Sequence, residues 1–230
     1  MSAPRCLAII PDGNRRWALY RSLWKRLGHE QGLKNCRRVI PRAFDLGTKH
    51  IVLWAGSESN LKKRPLEEVC YLFSLLKQEL EYRIDKPDEA RFYIRGIWRQ
   101  FTDDPEIKDL AGEAEHRTMH VLSRSLTLLF GYGGLTELAH AATAAARDGI
   151  IDITPEVLRQ RCWNSHLPNI DLLIRTGIEQ NDYHCSDSFL PLHTEHMQLY
   201  YSDKYWPDFT ADDLSNAFAH YRMRARRCGA

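Results

Sequence analysis

Short apolar runs closed by turn residues alternate along this chain with longer segments of helical period, and that alternation limits the fold more than any other feature. Residues 7–10, 51–55, 91–97, 126–130 and 170–174 read as strands, with 197–201 a weaker sixth. Helices are expected over about 31–46, 66–84, 105–120, 135–147, 155–165 and 211–227. Gly47 and Gly149 follow helical segments as C-terminal caps, and Thr154 and Thr210 precede acidic first turns as N-caps. The pattern predicts an α/β fold: a central, mostly parallel six-stranded sheet flanked by helices. With 230 residues and no internal repeat, linker or low-complexity stretch, one domain over 1–230 is expected.

Several function classes drop out on composition. Formal net charge is +2, so no global field points to nucleic acid, and any anion site must be local. No apolar run reaches the roughly 18 residues of a membrane span, and the first residues do not form a signal peptide. Cysteines at 6, 36, 70, 162, 185 and 228 form no C-x-x-C pair. They read as reduced structural thiols of a cytoplasmic protein rather than zinc ligands.

In open parallel sheets, ligands bind outside the carboxyl ends of the strands. After the first strand comes Asp12-Gly13-Asn14-Arg15-Arg16, and after the second Gly56-Ser57-Glu58-Ser59-Asn60 with Lys62, Lys63 and Arg64. Gly131-Tyr132-Gly133-Gly134 follows the fourth, and Arg175-Thr176-Gly177-Ile178-Glu179 the fifth. Glycines, hydroxyls and arginines at one edge are what a diphosphate needs. Backbone N–H groups approach its oxygens, and guanidinium groups bind it bidentately. Asp12 supplies the single carboxylate that Mg²⁺ requires beside substrate phosphates and water. Each element alone has a plainer reading. D-G-N is a good turn sequence, Gly-Tyr-Gly-Gly matches no standard phosphate loop, and Arg175 could be a surface arginine. Their convergence at one edge makes the case.

These residues resemble the cis-prenyltransferases, the family of undecaprenyl diphosphate synthase, along nearly the whole chain. Asp12-Gly13-Asn14-Arg15-Arg16-Trp17-Ala18 is similar to the family's D-G-N-[GR]-R-[WY]-A signature, and Gly28-His29-x-x-Gly32 to its G-H-x-x-G. Tyr132-Gly133-Gly134, Arg175-Thr176-Gly177, Trp206-Pro207-Asp208-Phe209 and Arg226-Arg227-Cys228-Gly229 resemble its later blocks. The resemblance implies a homodimer, a sheet with an apolar substrate tunnel, and Mg²⁺ on Asp12. It implies an allylic diphosphate held by Gly13, Asn14, Arg15, Arg16 and His29, with Asp12, Asn14 and Asn60 in catalytic roles. Arg64 and Arg175 would bind substrate, Arg175 on the side of a second isoprenoid diphosphate. Arg227 and Gly229 would reach the partner's site. Trp17 is carried with the binding set, although its residue type, like that of Leu23 and Trp24, reads first as packing. His29, by residue type alone, reads as a hydrogen-bonded structural histidine. Peripheral membrane contact stays open.

Three departures from the family pattern fall on the side of the second substrate. Extra residues around 181–184 put Cys185 and Asp187 where a phosphate-binding arginine and a serine stand, with His184 or Ser186 as substitute donors. Gln198 takes the place of a second metal-ligating glutamate, and its amide oxygen brings no charge. In the segment Ser57-Glu58-Ser59-Asn60-Leu61, the family's acid is displaced and its tryptophan replaced. Four readings follow. The first is regular condensation of an allylic diphosphate with isopentenyl diphosphate to a short-chain prenyl diphosphate. The second is irregular head-to-middle joining of two allylic diphosphates, with or without cyclisation. The third is a non-catalytic subunit, and the fourth is transfer to a non-isoprenoid acceptor. Phe73, Leu76, Phe92 and Ile94 are candidates for the tunnel floor.

Overall fold

The computed structural model describes residues 3–179 and 188–223. Each expected strand is present: β1 (Cys6–Ile10), β2 (His50–Ser57), β3 (Arg91–Arg95), β4 (Ser125–Tyr132), β5 (Leu172–Arg175) and β6 (Gln198–Tyr201). They form one sheet in the order β3-β4-β2-β1-β5-β6, and every pairing is parallel. Helices α1 (Asn14–Tyr20), α2 (Lys25–Asp45), α3 (Glu58–Lys63), α4 (Leu66–Asp85), α5 (Pro105–Arg117), α6 (Gly134–Arg147), α7 (Pro155–Arg161) and α8 (Ala211–Met223) connect and cover it.

Side-chain alternation divides the core by face. Leu7, Ile9, Ile51, Leu53, Leu128 and Phe130 pack with α2, α4, α5 and α8 in the larger cluster. Ala8, Ile10, Val52, Trp54 and Leu129 belong to a smaller one with Leu167, Phe189 and Leu190. Both faces being covered explains why β1 and β4 are continuous apolar runs rather than alternating ones. Each fully buried leucine or isoleucine stabilises the fold by about 1.5–3 kcal/mol relative to exposure.

The expected caps are in place. Gly47 and Gly149 have φ of 106° and 74°, in the left-handed region that favours glycine. The Thr154 hydroxyl accepts from the Val157 N–H, and Thr210 from the Asp213 N–H.

Two short helices and the start of a third depart from expectation. α1 and α3, with seven and six residues, are too short to show a period. α2 begins at Lys25 rather than near 31. Gly28 and Gly32 lower its local helix propensity, and packing against α1 overrides that. The N-terminus of α3 is set by Ser57, whose Oγ accepts from the Asn60 N–H at 3.1 Å. β3 ends at Arg95, α5 at Arg117 and α7 at Arg161, each short of the expected limit.

β1 lies between β2 and β5, so the chain leaves it to one side first and returns to the other later. That reversal opens a crevice at the carboxyl ends of β1 and β5.

Candidate active site

A cavity of about 600 Å³ fills this crevice. Arg15, Arg16, Lys25, Arg64 and Arg175 line it, and Asp12 is the one carboxylate among its described lining residues. Five cations around one acid make a local anion site in a chain of net charge +2.

Asp12 leaves the end of β1 through Gly13, which has φ 96°. A Cβ there would also sit 2.5 Å from the Tyr205 ring, so glycine is required twice over. The Asp12 backbone carbonyl accepts from the Thr176 hydroxyl and the Trp206 N–H, both at 2.9 Å. Its carboxylate meets Arg16 at 3.3 Å and Arg175 at 3.1 Å, and remains 39% exposed. Main chain and side chain thus have separate duties: one ties β1 to the segments after β5 and β6, the other presents charge.

Asn14 opens α1 beside it. Its amide N–H donates to the Pro11 carbonyl at 2.9 Å. Its buried Oδ1 has no hydrogen-bond partner among the described residues. Gly28 and Gly32 of α2 accommodate this residue, since a Cβ on either would come within 2.0 Å of the Asn14 carbonyl or 2.3 Å of its Oδ1. That is the physical reason for the spaced glycines on α2.

His29, Arg15 and Arg64 share one carboxylate, Glu68, which the sequence reading missed. Its Oε1 lies 3.2 Å from His29 Nε2, 3.3 Å from Arg64 and 3.7 Å from Arg15. The available signal was the Arg64–Glu68 spacing of four across the start of the expected helix at 66. Burial, then the charge of Arg64, push the His29 imidazole down to about 4, so it is uncharged at neutral pH. Asn60, Ser57, Ser59 and Trp54 complete the wall.

Other expected residues stand elsewhere. Trp17 does not line the cavity; its indole N–H donates to Asp208 at 2.8 Å and Arg21 stacks on its ring, so packing is its role in this structure. Gln198 pairs in register with Leu172, whereas the Asp12 turn leaves β1 at the level of Arg175. Three residues of parallel strand separate those levels by about 10 Å, so within one chain Gln198 cannot share an ion with Asp12. Glu58 is tied to Thr136 and Lys62 and approaches Gly133, away from the cavity wall. Arg227, Gly229, Cys185, Ser186, His184 and Asp187 lie outside the described residues.

Among the described residues no cluster of three or more His, Cys, Asp or Glu side chains encloses a metal site. A cation here must take the mode of one protein carboxylate plus ligand oxygens and water, which is a mode Mg²⁺ favours. The exposed Asp12 carboxylate at the cavity fits it.

An apolar slot of about 90 Å³ adjoins the cavity, sharing Pro11, Asn14, His29 and Ala55 with it. Leu33, Cys36, Leu72, Leu76, Leu128 and Phe130 are among its walls. Of the four floor candidates only Leu76 lines it, while Phe73, Phe92 and Ile94 are core.

The family model described as "Putative undecaprenyl diphosphate synthase" matches residues 10–229. An isoprenyl transferase of Ralstonia nicotianae is 32% identical, covering 98% of this chain and 87% of the relative. The ditrans,polycis-undecaprenyl-diphosphate synthase ((2E,6E)-farnesyl-diphosphate specific) of Pseudomonas putida is 37% identical over 99% of this chain and 91% of its own. A solved structure of lavandulyl diphosphate synthase from Lavandula x intermedia, in complex with dimethylallyl diphosphate, superposes with a TM-score of 0.89. It is 29% identical and is covered to 99%, as is this chain. A parallel sheet whose switch point carries an acid, an amide and converging arginines, matched over nearly its full length, makes this chain a member of the undecaprenyl diphosphate synthase family of cis-prenyltransferases, enzymes that transfer prenyl groups.

Proposed function

We propose that this enzyme ionises a five-carbon allylic diphosphate and joins it head-to-middle to a second allylic diphosphate, releasing diphosphate and leaving a short branched prenyl diphosphate. The likeness to lavandulyl diphosphate synthase carries this reading, and the size of the apolar slot supports only the short tail. A cavity of about 150 Å³ takes one benzene, so about 90 Å³ has room for a five-carbon branch and not for a long polyprenyl tail.

In this reading Arg15, Arg16 and Arg64 bind the allylic diphosphate, with neutral His29 and the glycine turn at Gly13 completing the cradle. Arg175 holds the second diphosphate. Asp12 would hold Mg²⁺, which when bound supplies positive charge to the leaving diphosphate. The C–O bond breaks with its electron pair going to the diphosphate, and the cation forms beside Asn14. Trp54 lines the cavity wall, where an aromatic ring would stabilise that cation. The double bond of the second substrate attacks the cation. The joined product loses a proton to the released diphosphate. Asn60 orients the second substrate. The chain acts as a homodimer, with Arg227 and Gly229 completing the partner's cavity, and works in the cytoplasm. Among the described residues no helix is long and apolar enough to cross a membrane.

A second reading, regular condensation with isopentenyl diphosphate, is favoured by the 37% identity to the Pseudomonas enzyme. Incubation with Mg²⁺ and dimethylallyl diphosphate, with and without isopentenyl diphosphate, separates the two by mass spectrometry of the products. Turnover of dimethylallyl diphosphate alone is expected. Products that form only when isopentenyl diphosphate is present would replace the irregular reading with the regular one.

A further inference from the structure

We propose that the corner between α1 and α2, residues 19–27, is a docking surface for an anionic lipid bilayer, seated beside the mouth of the cavity. The stretch reads Leu-Tyr-Arg-Ser-Leu-Trp-Lys-Arg-Leu, and every one of its residues is exposed. Five of the twelve large apolar side chains exposed among the described residues fall within it, so the exposure is a patch and not scatter. Tyr20 is 82% exposed, Trp24 67% and Leu19 57%.

The packing of the two helices keeps these groups outside. α1 and α2 meet through small groups: a Cβ on Gly28 would stand 2.0 Å from the Asn14 carbonyl oxygen and 3.2 Å from the Ala18 Cβ. A seam that close has no room for leucine, tyrosine or tryptophan. The turn itself is fixed. The Leu23 N–H donates to the Ala18 carbonyl at 2.8 Å, and Ser22, with φ 56°, reverses the chain in the left-handed region. The corner therefore holds its apolar groups out in a set arrangement instead of folding them away.

Its charge fits one kind of partner. Arg21, Lys25 and Arg26 are interleaved with the apolar groups, and no Asp or Glu occurs between residues 13 and 29. Arg26 lies over the Trp24 ring at 4.7 Å and Arg21 over the Trp17 ring at 4.5 Å, while Arg21 also meets Asp208 at 2.9 Å. Leucines and aromatic rings among basic side chains suit the headgroup level of a bilayer. The apolar part enters the acyl boundary and the cations meet lipid phosphates. A second copy fits worse, because a two-fold contact through this corner would set an acid-free cationic surface against itself. Leu19 and Lys25 also line the cavity, so docking here turns its mouth toward the bilayer. The docking does not depend on which prenyl diphosphate the cavity takes.

Co-sedimentation of the full chain with vesicles tests this, using phosphatidylcholine alone and about three parts phosphatidylcholine to one of phosphatidylglycerol. Binding to the mixed vesicles is expected to be stronger by about tenfold or more, and Leu23→Ser/Trp24→Ser to weaken it by about tenfold. Should that variant fail to fold by circular dichroism, Tyr20→Ser, at the most exposed ring, carries the test with an expected loss of about threefold. No wild-type binding, equal binding to the two vesicle types, or undiminished binding by the variant overturns the inference. So does release of bound protein by saturating inorganic diphosphate at constant ionic strength, which would put a lipid headgroup in the cavity instead. Self-association in vesicle-free buffer that the variant abolishes would give the corner to a second copy, and overturns it as well.

Discussion

The Asp12 carboxylate and the Arg175 guanidinium stand 3.1 Å apart although 163 positions separate them in the chain. The parallel pairing of β1 with β5, Ile10 opposite Arg175, brings them together. In the proposed reaction this acid, held by arginines at the mouth of a basic cavity, would exchange one of those contacts for a cation as a diphosphate engages them.

Asp12→Ala removes the one carboxylate among the described lining residues but leaves the backbone carbonyl that Thr176 and Trp206 hold. Turnover should fall by on the order of 10²–10³-fold or more, with little change in melting temperature. Steady-state kinetics and calorimetric melting of the same preparation check both halves. Undiminished activity would remove Asp12 from the reaction.

Gly28→Ala should destabilise the fold by about 1–3 kcal/mol, because its Cβ would meet the Asn14 carbonyl backbone where α1 crosses α2. Gly112→Ala, on α5 with nothing near its Cβ, should instead be neutral or stabilising. Urea denaturation of the two variants gives the comparison directly.

Three histidines predict acid sensitivity. Burial lowers His29 and His193 to about 4 and His166 to about 3, from an ordinary 6.5. The unfolded chain therefore binds more protons than the folded one between pH 6.5 and about 4. Their contribution is fully present above pH 6.5 and is lost as pH falls through that window, by on the order of 1 kcal/mol per pH unit for each histidine. Denaturation midpoints at pH 7.5, 6 and 5 test the slope, and His166→Asn should lose one histidine's share of it. A flat profile in wild type would contradict the burial of these rings.

Glu58→Gln should reduce turnover by no more than about threefold while costing about 1 kcal/mol of stability, since its carboxylate bonds Thr136 and Lys62 rather than the cavity. A loss of a hundredfold or more in kcat would mean that this acid enters the cavity when substrate is bound.

Much of the candidate site was legible because its residues sit where apolar runs stop. Asp12, Gly13, Asn14, Arg15 and Arg16 follow β1 after a single proline, Arg64 follows the short helix after β2, and Arg175 closes β5. Spacing on one line shows that directly. Glu68 was missed because a carboxylate in the first turn of a helix looks like ordinary dipole compensation until Arg15 and His29, from other segments, fold onto it. The distance of Gln198 from Asp12 within one chain was not legible, because the local motif carries the residue type but not the strand register.

The sequence by itself determined the order of strands and helices, the caps, the parallel sheet and the phosphate-loving edge. Each of these depends on periodicity and residue type over a few neighbouring positions. Only the tertiary structure decided how large the apolar slot is and which acids face the cavity. Those are distances between side chains on different elements, and a linear pattern carries none of them.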